Sequence, residues 1–561
     1  MVYALLAAEP LTDDTIHHYL TSKWLHKHAY LIVSTWGRPA VSLVYAPASH
    51  LGFFWCRMTS LAICLAACLY TFRLARETGL KYAWLAVPLV FFQTQFFRLS
   101  TDLLTEPLFA LIIICAVRNF VRGKYNWAAL QFSVSMAARP AGFFVAALFG
   151  IIMAVFALRG KLGHPKAAVM KLLPAGVLLA SIPAIWNVAG AIIYGGGMRS
   201  SIHETAAGFL NGTYDLLWLS HSNAWDTVMF KYGSDGPLHY LILMPLVTGG
   251  CIMMLMIPGY LTLFKMRGVW IIPAVWTSFF VLHTFLRTSG LYASGGYARF
   301  FVSVAPLAGI MAVAGAARFA TNLKWVPLTF LACVAFYVYL VPWITTFPFF
   351  KETYLLDSGN IVKIVWDKFL WIVVPATVVI PACWVFLSKR YGRQPGIRSS
   401  AKHVSAPIFA VICLVLPIVE CITAVAPARQ NATYQLIRDL GEWLRRERPE
   451  LTEDLGSFRP RKTDAKLIFA RYSLHMGKGW DPYDNSRFGT FSKEEIASLP
   501  KGSIIVWDSG FSKTEYRVTE KALDDNDRLE SLTKFETRLG REQKFTLHVY
   551  EVVKQSPQKD G

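Results

Sequence analysis

The residues best suited to chemistry are acids and arginines set beside long apolar stretches. The first are Asp13 and Asp14, in the polar run Leu11 to Tyr19, well ahead of the first long apolar segment. Charge held next to a bilayer is costly and tends to be kept for function. A partly shielded carboxylate there can act as general base, taking the proton from a hydroxyl that attacks an anomeric carbon. The same pair can cap a short amphipathic helix running through His17, Leu20 and Trp24. The two readings are compatible.

Three further sites repeat the pattern. Gly37-Arg38-Pro39 reads as a turn into an apolar helix ended by Gly52. Arg38 can contact an anionic ligand, or can lay its stem on apolar surface with its head at the interface and need none. Asp102 and Glu106 are four apart and so share one helix face at the outer end of a span. Capping of a helix N-terminus, with Pro107 in the first turn, accounts for one acid. It accounts less well for the second, one turn deeper, and both are candidates for shaping a substrate site. Arg139-Pro140 divides two apolar runs, and Tyr297-Ala298-Arg299-Phe300 opens another. An arginine at membrane depth is costly unless paired, commonly with phosphate or carboxylate. Each can also be an interfacial anchor, but two on one predicted face suit a phosphate.

No metal or cofactor is called for. His17-His18 are adjacent and His26-Lys27-His28 is a bare His-x-His, neither with a carboxylate at ligand spacing. A metal site assembled from separate loops stays open as an alternative. All nine cysteines lie within or at the edge of apolar segments, so neither a disulfide framework nor a thiolate metal site is indicated. Asn211-Gly-Thr213 and Asn431-Ala-Thr433 match the glycosylation pattern, which chance often produces.

The elements that position these groups are membrane helices. The chain has 561 residues, 54% hydrophobic and 16% charged. A soluble domain carries roughly 25% charge, so lipid is the solvent for most of this chain. A spanning helix needs roughly 20 apolar residues. About 12 stretches are candidates, near 54–74, 80–97, 104–121, 126–138, 141–158, 172–195, 239–264, 268–286, 298–318, 325–347, 369–388 and 405–425, of which 126–138 is short for a span. Lys and Arg then collect in alternate loops: Arg73 to Lys81, Arg118 to Lys124, Arg159 to Lys171, Lys265 and Arg267, Arg318 and Lys324, and Lys389 to Lys402. The positive-inside rule makes that set cytoplasmic. The net charge of +20 is thereby explained, and no dense basic stripe suggests nucleic acid.

The acids and long polar insertions fall in the other loops, 1–53, 98–103, 196–238, 287–297 and 348–368. Asp13, Asp14, Asp102 and everything after about 426 are thus expected on the extracytoplasmic side. An enzyme there needs an activated substrate delivered in the membrane. The expected fold is an α-helical polytopic membrane protein, residues 1–425, with a catalytic first outer loop at about 10–53. A small extracytoplasmic α/β domain, 426–561, follows. Within it, 431–444 has helical spacing, and 466–470, 503–507, 533–539 and 545–553 read as strands.

In this order and sidedness the motifs resemble the type C glycosyltransferase superfamily. The branch is the one containing protein O-mannosyltransferases and the bacterial aminoarabinose transferases of lipid A. The likeness rests on the acidic pair ahead of Gly37-Arg38-Pro39, the stretch Thr101-Asp102 to Thr105-Glu106-Pro107, Arg139-Pro140, and Ala298-Arg299-Phe300 with Pro306. It covers about residues 10–320 and is completed by the C-terminal domain. This branch often reads Asp-Glu where this chain reads Asp-Asp. It also has a spanning helix before the acids, of which Met1 to Pro10 looks like a remnant.

The resemblance implies a polyprenyl-phosphate-linked sugar donor and a base that is Asp13 or Asp14. It implies that Asp102 and Glu106 shape the donor or acceptor site, and that Arg299 or Arg139 holds the lipid phosphate. The expected partners are that donor, membrane lipids, and an acceptor that is a protein, lipid or glycan. The expected location is a bacterial inner membrane. Two other readings compete. A transporter or flippase for a lipid-linked or anionic substrate would want paired repeats and midplane charge. A non-catalytic anchor displaying the C-terminal domain would tolerate loss of the first-loop acids.

Overall fold

The computed structural model describes residues 13–33, 38–193, 239–289, 298–321, 417–418, 421, 432–452, 464–469, 481–484, 488–489, 491–514, 516–539 and 543–554. The expected spans 325–347 and 369–388, nearly all of 405–425, the loop 196–238, Gly37, Tyr297, both glycosylation asparagines, and Cys333, Cys383 and Cys413 lie outside them. Two compact units are present. One falls within Met1–His28, Tyr45–Phe53 and Ala428–Gly561, the other within Ala29–Val44 and Phe54–Pro427. The partition does not follow sequence order: first-loop residues group with C-terminal ones.

The larger unit is helical. Phe53–Glu77, Thr105–Val121, Tyr125–Ala138, Ala141–Leu158 and Pro165–Ile193 form close to where apolar runs predict helices. Among the described residues, four helices are long and apolar enough to cross a membrane. Their outer faces stay apolar: Ile151, Leu158, Met170 and Ile192 are exposed, Leu158 by 87%. Exposed apolar surface of this extent needs a non-aqueous solvent.

Three predicted spans are interrupted. The 80–97 stretch breaks into Ala86–Phe91 and Thr94–Leu99 after a short turn at Ala83–Leu85. Gln93 is extended there, and its amide donates to the carbonyls of Leu89 (3.1 Å) and Ala305 (2.8 Å). A side-chain amide that takes up backbone carbonyls competes with the helix. The 239–264 stretch splits into His239–Thr248 and Gly250–Lys265 at Gly249, whose φ of 86° lies in the left-handed region. The third, 298–318, starts as a tight turn, Ala298–Val304, before the Ala305–Thr321 helix.

Gly250–Lys265 and Ala305–Thr321 touch backbone to backbone. A Cβ on Gly259 would stand 1.6 Å from the Met311 carbonyl oxygen, and one on Gly315 1.8 Å from that of Leu255. Small residues facing each other allow this approach, as is usual where lipid removes the hydrophobic drive between helices.

In the other unit, the Asp13–Trp24 helix buries Ile16, Tyr19, Leu20 and Trp24 on one stripe. Ala432–Glu447 buries Leu436, Ile437, Leu440 and Leu444 at helical spacing, with Arg438 and Asp439 exposed. Five strands make one sheet: β1 Leu467–Phe469, β2 Phe488–Gly489, β3 Ile504–Asp508, β4 Leu529–Leu539 and β5 Gln543–Val552. The order is β2-β1-β3-β5-β4. β1 pairs in parallel with β2 and β3, whereas β5 is antiparallel to β3 and β4. The sequence-based strands match four of these, and β4 begins earlier than expected. The sheet face carries Ile468, Ile505, Trp507, Tyr550 and Val552 in one apolar core.

Candidate functional site

The site in the helical unit is built around Glu106. Its own stretch of chain is shielded from solvent, since every residue from Thr101 to Ala110 is buried. The Thr105–Val121 helix begins only at Thr105, so Asp102 precedes it and does not share its face as the spacing predicts. Pro107 explains the late start. Its ring would clash with the carbonyl four residues earlier, that of Leu103, if the helix extended back.

The segment ahead of the helix is held from the side. Arg57, buried in Phe53–Glu77, donates through Nε to the Thr101 carbonyl at 3.1 Å. Ser60, about one helical turn on, donates to the Asp102 carbonyl at 2.5 Å. The Asp102 carboxylate accepts from the Leu103 N–H at 3.0 Å. Sequence reading passed over Arg57. A lone charge near the start of an otherwise apolar helix was the available signal.

Arg139 reaches Glu106 from the junction of two helices. It ends Tyr125–Ala138 in an extended conformation (φ −154°, ψ 146°), as the following Pro140 favours. Ala141–Leu158 starts at once, and Gly142 lets it do so: a Cβ there would lie 2.5 Å from the Ser135 backbone. This tight junction aims the guanidinium inward. Its Nη1 is 2.5 Å from Glu106 Oε1 and donates to Thr105 Oγ1 at 3.2 Å. Thr105 Oγ1 in turn donates to Glu106 Oε2 at 3.3 Å. The Arg139 guanidinium also lies 5.2 Å from the centroid of the Phe300 ring, a favourable cation–π distance.

Arg299 enters from the Ala298–Val304 turn, with Nε 3.9 Å from the same Glu106 oxygen. Glu106 is 3% exposed and Arg139 9%. Within this triad two guanidinium groups face one carboxylate, which leaves the triad with one positive charge in excess where water is scarce. Guanidinium forks fit phosphate or carboxylate oxygens, and such pairs gain strength away from water.

An aromatic cluster walls this region. His283 sits 4.5 Å from Phe279 and 5.2 Å from Phe300 between ring centroids. Neither of its ring nitrogens finds a hydrogen-bond partner among the described residues. Its role too was not legible as a motif, although a single histidine in the apolar 268–286 stretch marked the position.

The other predicted residues are placed as follows. Arg38 belongs to the helical unit and starts the Pro39–Leu51 helix, its carbonyl accepting from Val41 and Ser42 at 2.8 and 3.0 Å. Its φ of 44° is strained for a non-glycine residue. Asp13 and Asp14 open the Asp13–Trp24 helix in the other unit, Asp14 half-buried. The structure thus brings Glu106, Arg139 and Arg299 together, with Asp102 one short segment away.

Two solved structures share the fold of this chain. One is the crystal structure of ArnT from Cupriavidus metallidurans in the apo state: 12% identical, TM-score 0.57, covering 98% of this chain and 96% of that one. The other is ArnT from the same organism bound to undecaprenyl phosphate: 12% identical, TM-score 0.57, covering 97% and 95%. No family model and no curated protein matches the chain. At 12% identity over nearly the whole length these matches show a shared fold, and at that level the resemblance read from the motifs holds.

Proposed function

We propose that this protein is an integral membrane glycosyltransferase using a polyprenyl-phosphate-linked sugar donor, with its acceptor a hydroxyl on the extracytoplasmic side. The observation that carries the reading is the Glu106–Arg139–Arg299 triad, two guanidinium groups on one buried carboxylate. A fold shared over nearly the whole length with a protein solved on undecaprenyl phosphate supports the same donor class.

The reaction is an inverting displacement. Asp13 or Asp14 removes the acceptor's hydroxyl proton as that oxygen attacks the sugar C1. The bond from C1 to the phosphate oxygen breaks, and the lipid phosphate leaves with the electron pair. Arg139 and Arg299 hold the charge that gathers on it. A phosphate leaves well, so no leaving-group acid is required. Glu106 holds both arginines in place, and Asp102 and Arg38 contribute to the substrate site. The location we propose is the bacterial inner membrane, with about 12 spans and the C-terminal domain outside the cytoplasm.

The test is transfer from a radiolabelled polyprenyl-phosphate sugar in vesicles. Asp13→Asn and Asp14→Asn are each expected to express normally, and one of them to abolish transfer. Full activity in both removes the assignment of the base. Movement of labelled lipid between leaflets without transfer favours a flippase instead.

A further inference from the structure

We propose that the C-terminal sheet domain positions the aspartate-bearing first-loop helix through a two-point polar clamp, with Asp14 as the residue whose direction it sets. The inference rests on the reading of Asp13 or Asp14 as catalytic base. It assigns positioning roles to Tyr483 and Asp481, far outside the motifs that suggested the chemistry.

Two contacts form the clamp, both inside one compact unit. Thr21 Oγ1, fully buried on the Asp13–Trp24 helix, lies 2.8 Å from the Tyr483 hydroxyl. His28 Nε2, just past the helix end, lies 2.8 Å from Asp481 Oδ2. The partners are 462 and 453 residues apart in sequence, so neither contact is a by-product of local folding. The clamp is itself rigid. Asp481 is buried, and its second oxygen accepts from the Tyr483 N–H at 3.1 Å, tying the two clamp residues into one turn. The His28 ring also stands beside that of Tyr483, at 5.8 Å between centroids.

Helix geometry connects the clamp to the acid. Thr21 follows Asp14 by seven positions, which at 3.6 residues per turn returns to within about 20° of the same direction. Fixing Thr21 therefore fixes the roll of the helix face that carries Asp14. The second contact, at His28, holds the far end of the helix and opposes tilting about the first. A base must stand within hydrogen-bond reach of the proton that it takes, and a misplacement of about 1 Å can cost on the order of a hundredfold in rate.

The test uses the full-length protein in vesicles with a polyprenyl-phosphate sugar. Thr21→Val and Tyr483→Phe each delete one hydroxyl and leave the packing. Each is expected to lower kcat about tenfold with donor KM unchanged, and the double variant to be no worse than either alone. Additive losses, or no loss, overturn the clamp. Asp481→Ala is expected to behave alike, and Asp481→Asn, whose single amide oxygen replaces one of the two engaged carboxylate oxygens, to recover part of the kcat. An Asn variant as slow as the Ala variant counts against the proposal. Hydrogen exchange gives an answer independent of turnover. Peptides covering residues 13–24 should exchange faster in Tyr483→Phe and Asp481→Ala, and unchanged exchange overturns the clamp even if no transfer is found. Active wild type with both aspartates dispensable would remove the base assignment and leave exchange to decide the clamp.

Discussion

Arg139 makes three different contacts at once: the Glu106 carboxylate, the Thr105 hydroxyl and the face of Phe300. A planar guanidinium with several fixed donors suits all three. A lysine at the same position would keep the charge but present a point donor on a flexible stem. Arg139→Lys is therefore expected to fold and to lower kcat/KM for the lipid-linked donor by about a hundredfold, the scale of losing one preorganised donor at a charge-bearing site. Steady-state rates against donor concentration measure it; a value near wild type would detach Arg139 from the phosphate. Removal of Glu106 is a different experiment. It takes the shared carboxylate from two arginines, and breaking a buried pair costs about 3–5 kcal/mol, so its effect on activity would be mixed with lost stability.

The residues of this site were legible in the sequence one by one. Arg139-Pro140, Glu106-Pro107 and Ala298-Arg299 each carry a local signature of a charge at a helix end. Their convergence on one carboxylate was expected only as a common face, because the separation of Arg139 and Arg299 along the chain gives no distance. Arg57 and His283 were not legible as neighbours of this site. Each is a single polar residue in an apolar run, and only the folded contacts distinguish a clamp or a wall from a buried accident.

At the scale of elements, apolar length predicted helices well and their interruptions poorly. The 80–97 and 239–264 stretches have the composition of single spans, yet Gln93 and Gly249 break them. A hydropathy window averages over one polar amide or one left-handed glycine, while the backbone does not. Close packing of Gly250–Lys265 against Ala305–Thr321 is a second feature set by single residues. Gly259→Ala places a Cβ on the Met311 carbonyl and should cost about 1–3 kcal/mol, the range for overpacking. Gly441→Ala, within Ala432–Glu447 and with nothing within 4 Å of the new Cβ, should instead stabilise by about 0.4–1 kcal/mol. Thermal unfolding of the detergent-solubilised protein should show opposite shifts in Tm; equal shifts would deny that the glycine contact matters.

At the scale of the whole molecule, the sheet unit should respond to pH through one polar cluster. The polar cluster of the sheet unit joins His548 to Ser531 at 2.7 Å and to Glu520 at 2.9 Å, with the Tyr550 hydroxyl 2.8 Å from Asp524. Burial works to raise the Glu520 pKa, but hydrogen bonds from Lys534 and His548 outweigh it and hold the carboxyl below its usual value of 4.5. A group lowered on folding adds stability above its unfolded pKa and loses it as the pH falls through the folded one. Tyr550 is pushed the other way, above its usual 10.0, by burial and by Asp524 and Glu520. Its contribution is present below about pH 10 and is lost at more alkaline pH. Backbone protection of Gln543–Val552, corrected for intrinsic exchange rates, should hold from about pH 5 to pH 10 and weaken on both sides. Glu520→Gln should flatten the acid limb. A limb unchanged by that substitution would show that Glu520 does not set it.

Glu106 leaves the ribosome before Arg139, and Arg139 long before Arg299. A nascent chain that stops short of Ala298 can already close its first guanidinium against the carboxylate, and it carries a neutral pair into the lipid. Only the later turn at Ala298–Val304 adds the second cation to the triad. The order of synthesis therefore lets Glu106 and Arg139 enter the membrane as a pair before the second guanidinium of the triad joins them.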